Sequence, residues 1–290
     1  MNDISKDKLG IIAGGGDLPN LLIKECQEQK RPFALVALED EVDVGSFAVE
    51  PDLIIRIGRA GQCFKKFRAS GVRSVVMAGK VHRPSLLGLK PDFRTLKFLI
   101  RTGTRAFTDK TSVGDDRLLR SVIKEIEREG FKVVSVGDVL SSLFVQPGVL
   151  SKHQPSTSDY ASVSIGVEAA KKLGVADIGQ AVVVQSGTVI DREQEEGTNA
   201  LIQRAGYTKK DADGLILVKT LKPSQDRRAD LPVIGPETIE HCANAGFIGI
   251  AVEAQGTLII DRDKTVAAAN AAGLFLIAID CAPTTQQGKK

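Results

Sequence analysis

Residues 9–13 form a short apolar run that enters Gly14-Gly15-Gly16-Asp17-Leu18-Pro19, after which Leu21, Leu22 and Cys26 recur at helical spacing as far as Lys30-Arg31-Pro32. This pattern predicts a strand, a glycine turn and a helix. Apolar runs at 33–38, 53–57, 74–78 and 133–136 predict further strands, and stretches at 61–70, 91–100 and 115–129 predict helices. Such alternation of β and α elements predicts a parallel sheet with right-handed crossovers for the first half of the chain. Gln146-Pro147-Gly148 and the segment 151–158, which contains Pro155, are polar and aperiodic. They place a linker at 146–158 between an amino-terminal domain, 1–145, and a carboxyl-terminal domain, 159–290.

The second half has a different pattern. Residues 181–185 turn at Ser186-Gly187 into 188–191, a β-hairpin signal. A similar phrase returns as 250–253, Ala254-Gln255-Gly256 and 257–261, and both phrases end in Asp-Arg followed by an acid and then a helical stretch, 197–205 and 265–272. Either an internal duplication or two hairpins that solve the same turn problem would produce this. Strands at 215–218 and 274–279 complete an α/β domain with a mixed sheet.

A chain of 290 residues is long enough for a substantial core and for two domains. Its net charge of +3, its 4% aromatic content and its lack of Trp argue against nucleic acid as a partner. Cys26, Cys63, Cys242 and Cys281 are scattered, and His82, His153 and His241 do not cluster with them, so neither a zinc site nor a disulfide framework follows. The opening MNDISKDKLG lacks the apolar core of a secretory signal, which leaves a cytoplasmic, reducing compartment as the expectation. No apolar run approaches the ~20 residues that span a bilayer.

Chemistry concentrates in Lys222-Pro223-Ser224-Gln225-Asp226-Arg227-Arg228-Ala229-Asp230-Leu231-Pro232. Forked guanidiniums match phosphate oxygens, and hard carboxylates hold Mg²⁺ against a diphosphate, so this loop carries parts for metal-assisted phosphoryl transfer as well as for a solvated turn. The turn Gly14-Gly15-Gly16 opens a helix, where an anion can be held, but Pro19 stands where a dinucleotide fingerprint needs a small residue. The same glycines would serve a tight turn with Asp17 as N-cap. Glu39-Asp40, ending the second strand, would suit a ribose. Lys80, His82 and Arg83 follow the strand at 74–78 and would face the same crevice as the glycine turn, beyond the carboxyl ends of parallel strands. Asp115 and Asp116 read as helix-capping acids. Lys90, Arg94, Lys97, Arg101 and Arg105 recur at steps of three or four residues beside Phe93, Leu96, Leu99 and Ile100, an arrangement suited to anionic lipid or to plain solvation. Asp191, Glu193, Glu195 and Glu196 crowd the start of a helix at Gly197-Thr198, where a helix dipole alone would favour them.

Taken together, Ile12-Ala13-Gly14-Gly15-Gly16-x-Leu18-Pro19, Ala78-Gly79-x-Val81-x-Arg83-Pro84, Gly114-Asp115-Asp116-x-Leu118-Leu119, Asp177-Ile178-Gly179-Gln180, Glu196-Gly197-Thr198 and Arg228-x-Asp230-Leu231-Pro232-x-Ile234-Gly235 resemble one family over nearly the whole chain. It is the metal-dependent UDP-2,3-diacylglucosamine pyrophosphatases of lipid A biosynthesis, distinct from the calcineurin-like enzyme. The resemblance implies a Rossmann-like amino-terminal domain joined to a second α/β domain with substrate held between them. It also implies a homodimer and Mg²⁺-dependent (or Mn²⁺-dependent) hydrolysis of UDP-2,3-diacylglucosamine to 2,3-diacylglucosamine 1-phosphate and UMP.

On that resemblance Asp230 is essential. With Arg227, Arg228 and Lys219 it makes up the expected catalytic set, and Asp191, Glu195 and Glu196 are further candidate metal ligands. Gly14, Gly15, Gly16, Asp17, Leu18, Gly79, Lys80, Val81, Arg83, Asp115, Asp116, Gly197, Thr198, Lys222 and Gln225 are expected to contact substrate. Acyl chains are expected near Leu86, Leu87, Phe93, Leu96 and Phe98, which would bring the basic stripe to the inner-membrane surface. Two alternatives stand beside this reading: an NAD(P)-dependent oxidoreductase, and a nucleotide-sugar or lipid-binding protein without turnover.

Overall fold

The computed structural model describes residues 7–82, 90–102, 112–208, 214–223, 226–228 and 231–281, with backbone only at 44 and 112–117. The chain divides into two units, Met1–Ser141 with Asp226–Asp230, and Ser142–Gln225 with Leu231–Lys290.

In the first unit β1 (Leu9–Ala13), β2 (Phe33–Leu38), β3 (Leu53–Ile55), β4 (Ser74–Ala78) and β5 (Lys132–Val133) pair in the order β3-β2-β1-β4-β5. Every pairing is parallel. Helices α1 (Leu18–Glu28), α2 (Ala60–Ala69), α3 (Phe93–Thr102), α4 (Ser112–Arg128) and the short α5 (Val136–Val139) lie between or after these strands. The strand expected over 133–136 stops early, because Ser135 and Asp138 form a reciprocal capping box that starts α5. One face of the sheet packs Ala34, Val36 and Val75 against Phe64 and Phe67 of α2 and Ile123 and Ile126 of α4. Phe131 closes this core, stacked on Phe64 and edge-on to Phe67 at 6.0 Å.

In the second unit six strands run in the order β6-β13-β11-β9-β7-β8: β6 (Gly148–Val149), β7 (Ala181–Gln185), β8 (Thr188–Arg192), β9 (Leu215–Lys219), β11 (Phe247–Glu253) and β13 (Phe275–Ile279). β9, β11 and β13 are mutually parallel, whereas β6, β7 and β8 are antiparallel to their neighbours, so the sheet is mixed as expected. A separate parallel pair joins β10 (Val233–Ile234) to β12 (Leu258–Ile259). One face of the large sheet meets Leu201 and Ile202 of α7 (Gly197–Thr208), Ile239 of α8 (Pro236–Asn244) and Ala269 of α9 (Arg262–Ala271). The other face is covered by Val163, Ala170 and Leu173 of α6 (Thr157–Val175), whose start is fixed by a capping box between Ser156 and Asp159.

The hairpin at Ser186-Gly187 forms, and its look-alike at 250–261 does not. Both edges of β11 are already taken by β9 and β13, so β12 cannot fold back on it and pairs instead with β10. The similarity of the two phrases is therefore one of sequence and not of strand pairing.

Candidate active site

The order of the first sheet reverses between β1 and β4, and the crevice beyond the carboxyl ends of such strands is where open α/β sheets bind ligands. The two loops nominated there meet. Gly14 N–H donates to the Ala78 carbonyl at 2.8 Å, Gly15 N–H to the Lys80 carbonyl at 2.8 Å, and Lys80 N–H to the Gly15 carbonyl at 2.7 Å. Glycine is required for this crossing: a Cβ on Gly14 would lie 2.4 Å from the Lys80 oxygen, and one on Gly79, at φ 96°, would lie 2.6 Å from the Gly14 carbonyl carbon. The N–H groups of Gly14 and Gly15 are thus committed to protein carbonyls. An anion at this turn would be met by the stretch from Gly16 and Asp17, both exposed, into Leu18 at the start of α1. Asp17 occupies the N-cap position, yet its side chain makes no capping bond.

Lys80 and Val81 are exposed at the rim of this crevice. The acid that turns inward is Glu41: its side chain is 6% exposed, it accepts from His82 N–H at 3.0 Å, and it lies 2.9 Å from His82 Nδ1. Glu39 instead accepts from Arg56 Nε at 2.9 Å. Three consecutive acids, Glu39, Asp40 and Glu41, follow the strand, and only the fold selects which one faces the glycine turn. α4 begins at Ser112, so Asp115 and Asp116 lie inside the helix and not at its cap; their side chains, like Arg83, Leu86, Leu87, Gln225 and Asp230, lie outside the described residues.

Part of the charged loop also belongs to the first unit. Arg228 grips Asp226 bidentately, Nε to Oδ1 at 2.9 Å and Nη2 to Oδ2 at 2.7 Å, and its Nη1 donates to Glu127 of α4 at 2.6 Å. These donors hold the Asp226 carboxyl below the usual carboxylate range against the opposing effect of burial, with the charge of Arg120 adding to them. Arg228, expected to neutralise phosphate charge, is occupied by two carboxylates. Arg227 is exposed.

The second unit gathers its polar side chains around Glu193, which is 6% exposed. Lys219, likewise 6% exposed, donates from Nζ to Thr198 Oγ1 at 2.9 Å and to the Val233 carbonyl at 3.3 Å. The Thr198 hydroxyl donates to Glu193 Oε1 at 2.5 Å, and Gln180 N–H donates to Glu193 Oε2 at 2.7 Å. A buried ammonium and a buried carboxylate are thus bridged by the hydroxyl that follows Gly197, the first residue of α7. Lys222 is held by Asp177 at 2.8 Å. The motif residues Asp177, Gln180, Thr198 and Lys219, far apart in sequence, serve this one region. Glu193 was visible in the sequence only as one member of an acidic cluster.

The other acids of that cluster take different places. Asp191 accepts from Arg204 Nε at 3.0 Å, and Glu195 and Glu196 are exposed. Among the described residues no group of three His, Cys, Asp or Glu side chains is placed to hold a metal ion.

Two arginines of the basic stripe pair with acids near the end of α4 while their side chains stay 45% exposed. Arg101 donates to Glu125 at 2.7 Å, and Arg94 and Arg68 both pair with Glu129. Burial pushes the Glu129 carboxyl up, but these two guanidiniums bring it net below its ordinary range. Apolar residues of α3 are exposed alongside them: Phe93 is 71%, Leu96 45% and Ile100 74% exposed, with the Lys97 ammonium 4.8 Å from the Phe93 ring centre. Among the described residues no helix is long and apolar enough to cross a membrane.

Comparison with known proteins covers both units. Residues 8–143 match the family model for the LpxI N-terminal domain, and residues 146–277 match that for the LpxI C-terminal domain. The chain belongs to the LpxI family. The UDP-2,3-diacylglucosamine pyrophosphatase LpxI of Caulobacter vibrioides is 38% identical over 279 residues, covering 94% of this chain and 98% of that protein. Membership extends across both units.

Proposed function

We propose that this protein hydrolyses the pyrophosphate bond of UDP-2,3-diacylglucosamine, giving 2,3-diacylglucosamine 1-phosphate and UMP in lipid A biosynthesis. The observation that carries the reading is the 38% identity to the Caulobacter pyrophosphatase across nearly the full length of both chains. Hydrolysis adds water across a P–O–P bridge: a new P–O bond forms to the water oxygen, the bridging bond breaks, and two phosphate monoesters leave with more negative charge than the anhydride carried. Cations must meet that charge as it develops. In this reading Arg227 and Lys219 supply it, Asp230 orients the attacking water, and the turn from Gly16 to Leu18 holds a phosphate oxygen.

Mg²⁺ belongs to the same proposal. The described carboxylates do not form a metal cage, since Asp191 is paired with Arg204 and Glu193 with Thr198 and the Gln180 amide. This suits an ion that rides on the substrate diphosphate and takes one or two protein carboxylates, as Mg²⁺ commonly does. Asp230 is the first of these, with Glu195 and Glu196 as the next candidates. When bound, the ion neutralises diphosphate charge. Purified protein is expected to release UMP from UDP-2,3-diacylglucosamine with Mg²⁺ and to stop when EDTA is added. Intact substrate under every condition would leave a binding protein without turnover.

A diacylated substrate also gives a use to the exposed face of α3. We propose peripheral contact with the inner-membrane surface through Phe93, Leu96 and Ile100, flanked by Lys90 and Lys97. Replacing Phe93 and Ile100 together by Ser is expected to lower the fraction sedimenting with anionic vesicles, with affinity falling at least about tenfold. Equal sedimentation of variant and wild type would refute the contact. The homodimer expected for the family stands with these proposals and is read by analytical ultracentrifugation.

A further inference from the structure

The ion-pair network around Arg228 assigns a task to a residue that no motif singles out. Asp226 and Arg228 close a tight local turn: Arg228 N–H and Nε both donate to Asp226 Oδ1, at 3.0 and 2.9 Å, and Nη2 donates to Oδ2. The remaining Nη1 donor reaches across 101 residues of sequence to Glu127 on α4, at 2.6 Å. Asp226 in turn feels the charge of Arg120, one face of the same helix further back, so charges alternate along Glu127, Arg228, Asp226 and Arg120. α4 itself is anchored in the core by Ile123 and Ile126, which makes it a firm base for the loop. Glu127 and Arg228 side chains are 42% and 36% exposed. A pair so solvated contributes little to stability. A guanidinium whose donors are committed to two fixed carboxylates nevertheless sets both position and orientation of the backbone that carries it.

We propose that Glu127 is a positioning residue for hydrolysis, which docks the 226–228 segment on α4 and so fixes the start of the stretch that leads to Asp230. This rests on the hydrolase reading given above. The guanidinium of Arg228 then serves to place the loop.

The test uses the full-length protein with Glu127→Ala and Glu127→Gln. Hydrogen exchange should quicken in the peptide spanning 222–232 in Glu127→Ala while the amides of β4 keep their protection. UMP release by that variant should show kcat lower by about ten- to a hundredfold, as expected for a displaced reactive group, with KM within about twofold of wild type. Glu127→Gln retains an oxygen acceptor for Nη1 and should recover most of both. Unchanged exchange in 222–232, or quickened exchange with unchanged kcat, overturns the assignment. A wild-type protein that releases no UMP removes the hydrolase reading and this inference together, whereas equal turnover by wild type and Glu127→Ala removes the inference alone.

Discussion

Asp230→Ala is expected to reduce UMP release by at least about 10²–10³-fold, the range seen when a single preorganised electrostatic partner of a transition state is lost. Between Lys222 and Pro232 two carboxylates are present; Asp226 is locked to Arg228, and Asp230 is the one to which the proposed mechanism gives the substrate, the water or Mg²⁺. A group that acts mainly in the transition state lowers kcat and kcat/KM together when removed, and leaves ground-state binding largely in place. Substrate affinity of Asp230→Ala, measured by equilibrium dialysis with the diacyl nucleotide, should therefore stay near wild type. The anchor formed by Arg228, Asp226 and Glu127 is untouched, so the variant should melt with wild type. Wild-type turnover in Asp230→Ala would take this carboxylate out of the chemistry.

Glu193→Ala is expected to lower the melting temperature of the second unit by about 10 °C. Lys219 sits in a strand whose other residues, Leu215, Ile216, Leu217 and Val218, are all buried and apolar. Removing the carboxylate strips the Thr198 hydroxyl and the Gln180 amide of their acceptor. Leaving two buried donors without that acceptor costs about 1–3 kcal/mol each, and a domain of this size loses roughly 2–4 °C per kcal/mol. The Val233 carbonyl still accepts from Lys219, which favours the lower end of the range. Differential scanning calorimetry reads the shift directly. A double replacement, Glu193→Leu with Lys219→Met, should recover part of the loss, because two matched apolar groups leave no buried charge behind. No change in the melting profile of Glu193→Ala would show that the Gln180 amide and the Thr198 hydroxyl do not depend on this carboxylate.

The strands and helices with a clear period were legible before the fold was known. β2 and β4 fall on the expected residues, and α2, α3 and α7 begin within two residues of expectation. Their boundaries follow from local apolar spacing and from glycine and proline punctuation, which each segment carries in itself. The loops at 14–19 and 78–83 could also be placed in one crevice, because both follow strands of an alternating β/α series. Family membership was legible because its motifs follow one another in order over nearly the whole chain.

What the sequence could not determine is anything settled by a partner distant along the chain. The phrase at 250–261 has hairpin chemistry, yet β11 has both edges filled and β12 must pair elsewhere. The spacing of Arg94 and Arg101 predicts a basic face for solvent or lipid; the structure adds that Glu129 and Glu125 meet these arginines and that Phe93, Leu96 and Ile100 of the same helix are exposed beside them. Periodicity states which residues share a helix face and is silent on which face is covered. Likewise the acids Glu39, Asp40 and Glu41, or Asp191, Glu193, Glu195 and Glu196, are equivalent as letters. Tertiary structure alone turns Glu41 and Glu193 inward and gives each its donors, because selecting one acid from a run depends on burial and on hydrogen-bond partners supplied by other segments of the chain.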